Sequence, residues 1–448
     1  MKKRVLWVCN SILPKISQQL QMKVGHKEGW ISGVLSTFVQ SNDILDFQLA
    51  IAFPLAKGED EIKGRLVINE DYDVMYYSFY ENSLQAQDYD MDSEIGLKQI
   101  IDAFQPDMIH CFGTEYPHTL AAIKAFAQKD KTLISIQGLC SRCAIAYQAN
   151  IPIRIQKRVT FRDVVRKDTA QIQQIKFEQR GDWEKLSIKM TGHLTGRTDW
   201  DCYWCHRYNS EAKYHQMNET LRDEFYGKTW KYDTCKKHSI FLSQADYPLK
   251  GAHYMLLALP TILEKYPDTT LNIAGNSLLR GEGLVASMKI SSYGLYLQEV
   301  LKDLKIKNVV NFLGTQSAEE MLENYLSSNV FVCPSSLENS PNSLGEAMVL
   351  GMPIVAANVG GIPSMISKEE GYLYEGFKEE QKDDSEELIR ISQKLADTIL
   401  QVFDDTKGSI LKGEAAKKKA SITHDKKKNH DRLVSIYEEI CCGSGEFK

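Results

Sequence analysis

Short runs of apolar residues alternate with helix-period patterns along almost the whole chain, and the alternation is complete twice over. That grammar specifies β-α units stacked on parallel sheets, because a strand buried on both faces reads as a continuous apolar run and the return path to a parallel neighbour needs a helix. In the first half the strands are expected at Arg4–Cys9, Phe47–Phe53, Met108–Phe112 and Leu133–Ile136. Helices are expected at Ile31–Gln40, Glu94–Phe104 and Tyr116–Gln128, with a hairpin over Arg65–Phe79. In the second half the strands fall at Ile240–Ser243, Thr270–Ala274, Val309–Leu313, Val330–Cys333 and Ile354–Ala357. Helices follow at Ala252–Lys265, Tyr296–Leu304, Ala318–Ser327, Ser343–Leu350 and Glu386–Phe403. With 448 residues the chain exceeds the roughly 250–300 that one core serves. The division expected is a Rossmann-like domain over 1–234, a second over 235–420, and a helix and tail over 421–448 that packs back on the first. The fold class is α/β, with two parallel sheets facing a central cleft.

Composition narrows the function. A net charge of −5 argues against non-specific nucleic-acid binding, which needs a basic surface. No apolar run reaches the roughly 18 residues of a membrane span, and Val5–Cys9 is too short for a leader's apolar core, so a cytoplasmic location is expected. The ten cysteines would then be thiols rather than disulfides.

The richest stretch is CPSSLENSPNSLGEAMVLGM, Cys333–Met352. A strand ends, a loop carries Glu338, and a helix starts near Ser343, with Asn342 or Ser343 as its cap. A helix start offers free N–H groups and a positive dipole end to a diphosphate. Glu338 on the loop and Glu346 one turn inside the helix can both face the strand ends, where open α/β sheets bind ligands. In FLSQADYPLKG, Lys250 and Gly251 open the next helix after a strand, and the Lys can reach the same phosphates as a point charge. Gly275 ends the strand LNIAG, and NVGGIP supplies Gly360–Pro363 at another strand end.

Taken in order, the Glu338–Glu346 pair, Lys250-Gly251, Gly275 and Gly360–Pro363 resemble the retaining nucleotide-sugar transferases of glycosyltransferase family four, which have the GT-B fold. The resemblance implies that Glu338 contacts the donor sugar, Glu346 binds the ribose, Asn342, Ser343 and Leu344 hold the diphosphate through their backbone, and Lys250 supplies its charge. It implies a UDP- or GDP-sugar donor, a saccharide or lipid-linked acceptor, retention by front-face attack, a role in surface polysaccharide or glycoconjugate assembly, and neither cofactor nor metal. Many relatives carry an Arg where this chain has Gln244; a Gln can donate a hydrogen bond but brings no charge. Arg280 is a candidate substitute. In the first half Gly29 matches the glycine loop near the donor phosphates, and Gln137-Gly138 match the acceptor side.

Other features carry a sharp and a bland reading. Asp199-Trp200-Asp201 is a DxD, read here as structural rather than metal-binding. Cys140-x-x-Cys143 and Cys202-x-x-Cys205 could hold zinc, but their separation exceeds the usual spacing, and plain thiols are the expectation. Arg154–Lys167 carries six basic residues and one acid, with Arg at every fourth position. As one helix it would show a basic stripe suited to anionic lipid, or simply be a solvated face. His118, His193 and His253 are read as structural. The alternatives to a transferase are a sugar phosphorylase or hydrolase on the same fold, and a non-catalytic nucleotide-sugar or glycan-binding partner. A dinucleotide oxidoreductase is disfavoured because no G-x-G-x-x-G follows the first strand.

Overall fold

In the computed structural model, residues 2–22, 29–41, 46–70, 72–275, 289–379 and 385–442 are described. They form two compact units. The first comprises 1–141, 176–222 and 423–448; the second comprises 142–175 and 223–422. The chain therefore crosses between units more often than a division at 234/235 implies, and 142–175 belong with the second unit.

The first unit is built on a sheet of eight strands: β1 Lys3–Val8, β2 Phe47–Leu55, β3 Lys63–Val67, β4 Asp73–Tyr80, β5 Met108–Phe112, β6 Thr132–Ser135, β7 His193–Gly196 and β8 Lys213–Gln216. Their spatial order is β3-β4-β2-β1-β5-β6-β7-β8. Every neighbouring pair is parallel except β3 with β4, the expected hairpin. One face is packed by Trp7, Phe38, Phe47 and Phe53 together with Leu433, Ile436, Tyr437 and Ile440 of the last helix, Lys426–Cys442. That helix supplies an apolar face to a sheet whose first strand lies over four hundred residues earlier.

The second unit holds six parallel strands: β9 Ser239–Leu242, β10 Thr270–Ala274, β11 Val310–Gly314, β12 Val330–Cys333, β13 Ile354–Ala357 and β14 Tyr372–Tyr374. Their order, β11-β10-β9-β12-β13-β14, is that of a doubly wound Rossmann sheet. The direction of travel reverses between β9 and β12, and a crevice opens at their carboxyl ends for that topological reason. Strand and helix positions agree with the sequence expectations to within a few residues. The strands β7, β8 and β14 and the long helices Ala170–Met190 and Thr406–Thr423 were not anticipated. The helix Ala170–Met190 has apolar residues spread around its circumference, and the strands β7 and β8, HLTG and KYHQ, each hold a single large apolar residue.

The segment 154–167 departs from expectation. It does not form one helix with a basic stripe but two short ones, Ile153–Gln156 and Phe161–Arg166. Thr160 caps the second, and Asp163 bonds back to complete a capping box, which starts a new helix rather than continuing the old one.

Candidate active site

The β9 and β12 loops meet at the reversal point. After β9 the chain makes a short turn, Pro248–Lys250, closed by Gly251 at φ +70°. A Cβ at Gly251 would overlap the Pro334 carbonyl oxygen, so glycine permits the two loops to touch. The contact is fixed by Ser336 N–H donating to Leu249 O at 2.9 Å. It sets Lys250 Nζ 2.7 Å from Glu338 Oε1, an oxygen that also accepts from Ser335 Oγ at 2.8 Å. The two charged side chains are 17% and 13% exposed. Burial alone would lower the Lys250 ammonium's pKa, but Glu338 and Tyr247 outweigh it and hold the amine well above its ordinary value. Lys250 is a fixed cation. Burial, reinforced by Glu338, pushes the neighbouring Cys333 up to about 12, so it stays a thiol.

Gly360 and Gly361 grip the same loop from β13. Gly360 has φ +52°, a Cβ there would collide with the Glu338 carbonyl oxygen, and Gly361 N–H donates to that oxygen at 2.9 Å. The glycine pair in Gly360–Pro363 thus holds the backbone of Glu338.

The helix Asn342–Leu350 starts beside this pair. Its N-cap is Pro341, with no side-chain cap bond, which corrects the expectation that Asn342 or Ser343 would cap it. Leu344 and Gly345 N–H both return to Pro341 O, at 3.0 and 3.3 Å. Helical geometry leaves Asn342 and Ser343 N–H without an intrahelical acceptor. Glu346 is buried on the same helix, with Tyr325 OH 3.4 Å from its Oε2 and 2.9 Å from Ser343 O. Leu344 is fully buried and anchors the turn.

Gly275 follows β10 at φ +111°, and a Cβ there would lie 2.7 Å from Asp246 Oδ1. Gln244 donates to the other oxygen, Asp246 Oδ2, at 3.2 Å. Gln244, Asp246 and Gly275 therefore gather at the same strand ends as Lys250. Arg280 lies outside the described residues.

In the first unit Gly29 is the first residue of the helix Gly29–Gln40. Gln137 Oε1 accepts from Arg197 Nη2 at 3.2 Å, and Gly138 N–H donates to Glu115 Oε1 at 3.2 Å. Around them the structure assembles residues the motifs had not marked. His118 Nδ1 lies 2.8 Å from Glu81 Oε2 and its Nε2 lies 3.0 Å from Asn10 Oδ1, all at strand ends. Asn10 and Glu81 each follow a strand within two residues, a positional signal that sequence could have supplied. Asp201 of the DxD is internal: its N–H bonds the Thr198 cap, and its carboxylate accepts from Arg197 N–H at 3.1 Å and from Tyr214 OH. Cys140 and Cys205 are buried thiols.

Comparison with known proteins adds a family match over part of the chain. Residues 228–401 match the model of the group 1 glycosyl transferases. The matched span holds Lys250, Gly275, Glu338, the helix start and Glu346, while the first 227 residues lie outside it. A D-inositol 3-phosphate glycosyltransferase of Corynebacterium urealyticum is 26% identical over 193 residues, 43% of this chain and 41% of that protein. The spore coat protein SA of Bacillus subtilis is 24% identical over 206 residues, 46% of this chain and 49% of its own. The chain thus spans less than half the length of these relatives. Two solved structures superpose along nearly the whole chain. Sucrose-phosphate synthase from Thermosynechococcus elongatus has a TM-score of 0.67 at 12% identity, covering 99% of this chain and 100% of its own. Anabaena HepE, solved with UDP and glucose, has a TM-score of 0.62 at 13% identity, covering 98% and 100%. The fold is GT-B, with two parallel-sheet units.

Proposed function

We propose that the chain is a retaining glycosyltransferase that moves a sugar from a UDP- or GDP-sugar to a saccharide or lipid-linked acceptor, without a metal, in polysaccharide or glycoconjugate assembly. The observation that carries this reading is the buried Lys250–Glu338 pair at the reversal point of the group 1-matched sheet, beside an uncapped helix start. A bound diphosphate would take bonds from the Asn342 and Ser343 N–H groups and draw on the Lys250 charge. Glu346 would accept from ribose hydroxyls and Glu338 from the sugar. In the transfer step the bond from the anomeric carbon to the diphosphate oxygen breaks, and the acceptor oxygen bonds the same face. The acceptor proton passes to the departing phosphate. The protein's contribution is positioning and charge stabilisation. That HepE was solved with UDP and glucose supports a nucleotide-sugar donor here.

Lipid-linked acceptors bring the enzyme to a membrane surface, and the segment 153–167 has the exposed groups for that contact. No helix among the described residues is long and apolar enough to cross a membrane. Val159, Phe161, Val164 and Val165 are 57–66% exposed, beside the exposed cations Lys157, Arg166 and Lys167. Arg158 and Arg162 are spent on Glu299 and on Asp163 and Asp168, so the lipid-facing role falls on the apolar residues and the remaining cations. Co-sedimentation with vesicles rich in anionic lipid should drop several-fold in Phe161→Glu with Val165→Glu. Equal binding by wild type and variant would remove this part of the reading.

The central test is a thermal-shift panel of nucleotide sugars followed by transfer assays in EDTA, since a ligand that binds only the native state raises its stability. Stabilisation and transfer by one donor are expected. Donor binding without turnover on any acceptor would favour the non-catalytic reading, to which Gln244 lends weight. Release of sugar phosphate with no nucleotide would favour a phosphorylase.

A further inference from the structure

We propose that His193, His215 and Glu439 form a binding site for a divalent cation of the zinc class, which staples the last helix to the edge of the first unit's sheet. The placement follows from strand register. β7 and β8 are parallel, with His193 opposite Lys213 and Thr195 opposite His215. Side chains alternate along each strand, so His193, Thr195 and His215 share one face of the sheet. The helix Lys426–Cys442 brings Glu439 to that face. One ligand atom from each of the three residues lies within 4.8 Å of the others, the one such group among the described residues.

The details suit a cation. His193 Nδ1 and His215 Nε2 are 3.0 Å apart with stacked rings. Two nitrogens at about 2.0–2.1 Å from a tetrahedral zinc would stand roughly 3.3 Å apart, a small adjustment. Two imidazoles and one carboxylate are a known zinc donor set with a fourth position for water. Thr195 Oγ1, in register with His215, is buried without a hydrogen-bond partner. Lys213 holds Glu439 in the structure, and its side chain is 57% exposed. A divalent ion can take its place while the ammonium returns to water.

The site lies where β7 begins, so it is separate from Gln137 and Gly138 beyond the carboxyl end of β6. Its purpose is structural. The last helix reaches its sheet from the far end of the sequence, and Lys131 Nζ donating to Cys441 O at 2.9 Å already ties its end down.

The test uses the untagged full-length protein. Cobalt(II) titration should give a visible absorption band at one equivalent, displaced by zinc, and dialysed protein should retain about one zinc per chain. His215→Gln and Glu439→Gln should each weaken cobalt binding at least tenfold. Lys213→Ala, which removes a competitor and leaves all three ligands, should tighten it. An intense near-ultraviolet thiolate band would place the metal on the cysteine pairs and overturn the assignment. So would unchanged binding in the Glu439→Gln variant, or no binding at micromolar cobalt with a Lys213→Ala protein shown to be folded.

Discussion

The sheet order reverses twice in this chain, between β9 and β12 in the second unit and between β1 and β5 in the first, and the two reversal points are furnished differently. The second unit's point carries the fixed cation Lys250, its partner Glu338 and an uncapped helix start. The first unit's point carries Asn10, His118, Glu81 and Glu115, bound mainly to one another and to backbone. There Arg180 Nε donates to the Glu115 backbone carbonyl at 2.6 Å. Burial, only partly offset by Arg180, the Gly138 N–H and Asn10, holds the Glu115 carboxyl above its usual range. Topology makes a crevice in both places, and the side chains decide what each can attract. One point holds a fixed cation beside a helix start; at the other the helix start faces a carboxylate, His118 N–H donating to Glu81 Oε1 at 3.1 Å, in keeping with the proposed donor and acceptor division.

The largest effect should come from removing the cation that separates the two. Lys250→Ala should lower kcat/KM by 10²–10³-fold, the scale of about 2.7–4 kcal/mol seen when a charge-stabilising group is lost. Asn10→Ala, at the corresponding place in the other sheet, should leave donor affinity within about twofold by calorimetry. Equal losses of donor affinity in both variants would abolish the contrast.

A second comparison concerns stability. Ile436 is fully buried in the first unit's core, so Ile436→Ala should destabilise that unit by about 2–4 kcal/mol. Hydrogen exchange should rise in β1 and β2 and stay unchanged in β9 and β12. Next, Glu346→Ala removes an acceptor for hydroxyl groups, and nucleotide affinity should fall about tenfold to a hundredfold, the scale of about 1.5–3 kcal/mol for a bond to a charged group. Unchanged affinity would detach Glu346 from the nucleotide.

The smallest expected effect is on pH dependence. Burial lowers His110 to about 3, and His253 in the second unit to about 4. Such a histidine stays neutral in the native state while the unfolded chain takes up a proton. Its contribution is complete above about pH 6.5 and is lost as the pH falls toward the native value. Stability should decline between pH 6.5 and 4, and His110→Asn should lessen that decline by about 1–2 kcal/mol in urea titrations. An unchanged slope would show that His110 is not the group responsible.

Much of this was legible because period and punctuation are local properties. The runs Val330–Cys333 and Ile354–Ala357 can be little but buried strands, and both occur with those bounds. Glu338, Lys250 and Glu346 could be singled out because each stands at a fixed offset from a strand end. The stripe at 154–167 misled because four-residue spacing of Arg was given more weight than the capping signal Thr160-x-x-Asp163, which is equally local. β7 and β8 escaped because HLTG and KYHQ each hold a single large apolar residue, so neither reads as a buried run.

What the sequence determined alone was most of the inventory of the second unit: which segments are strands, which are helices, and which chemistry the β9 and β12 ends carry. The tertiary structure decided which of these meet. Lys250 and Glu338 are 88 residues apart, and nothing near either names the other. They pair because β9 and β12 are neighbours in the sheet and because Gly251 and Gly360 let the adjoining loops approach to contact. The last helix joins the first unit for the same kind of reason. Strand order and crossover packing are settled by burying apolar faces across the whole chain, and that cooperative outcome is not encoded in any one window of residues.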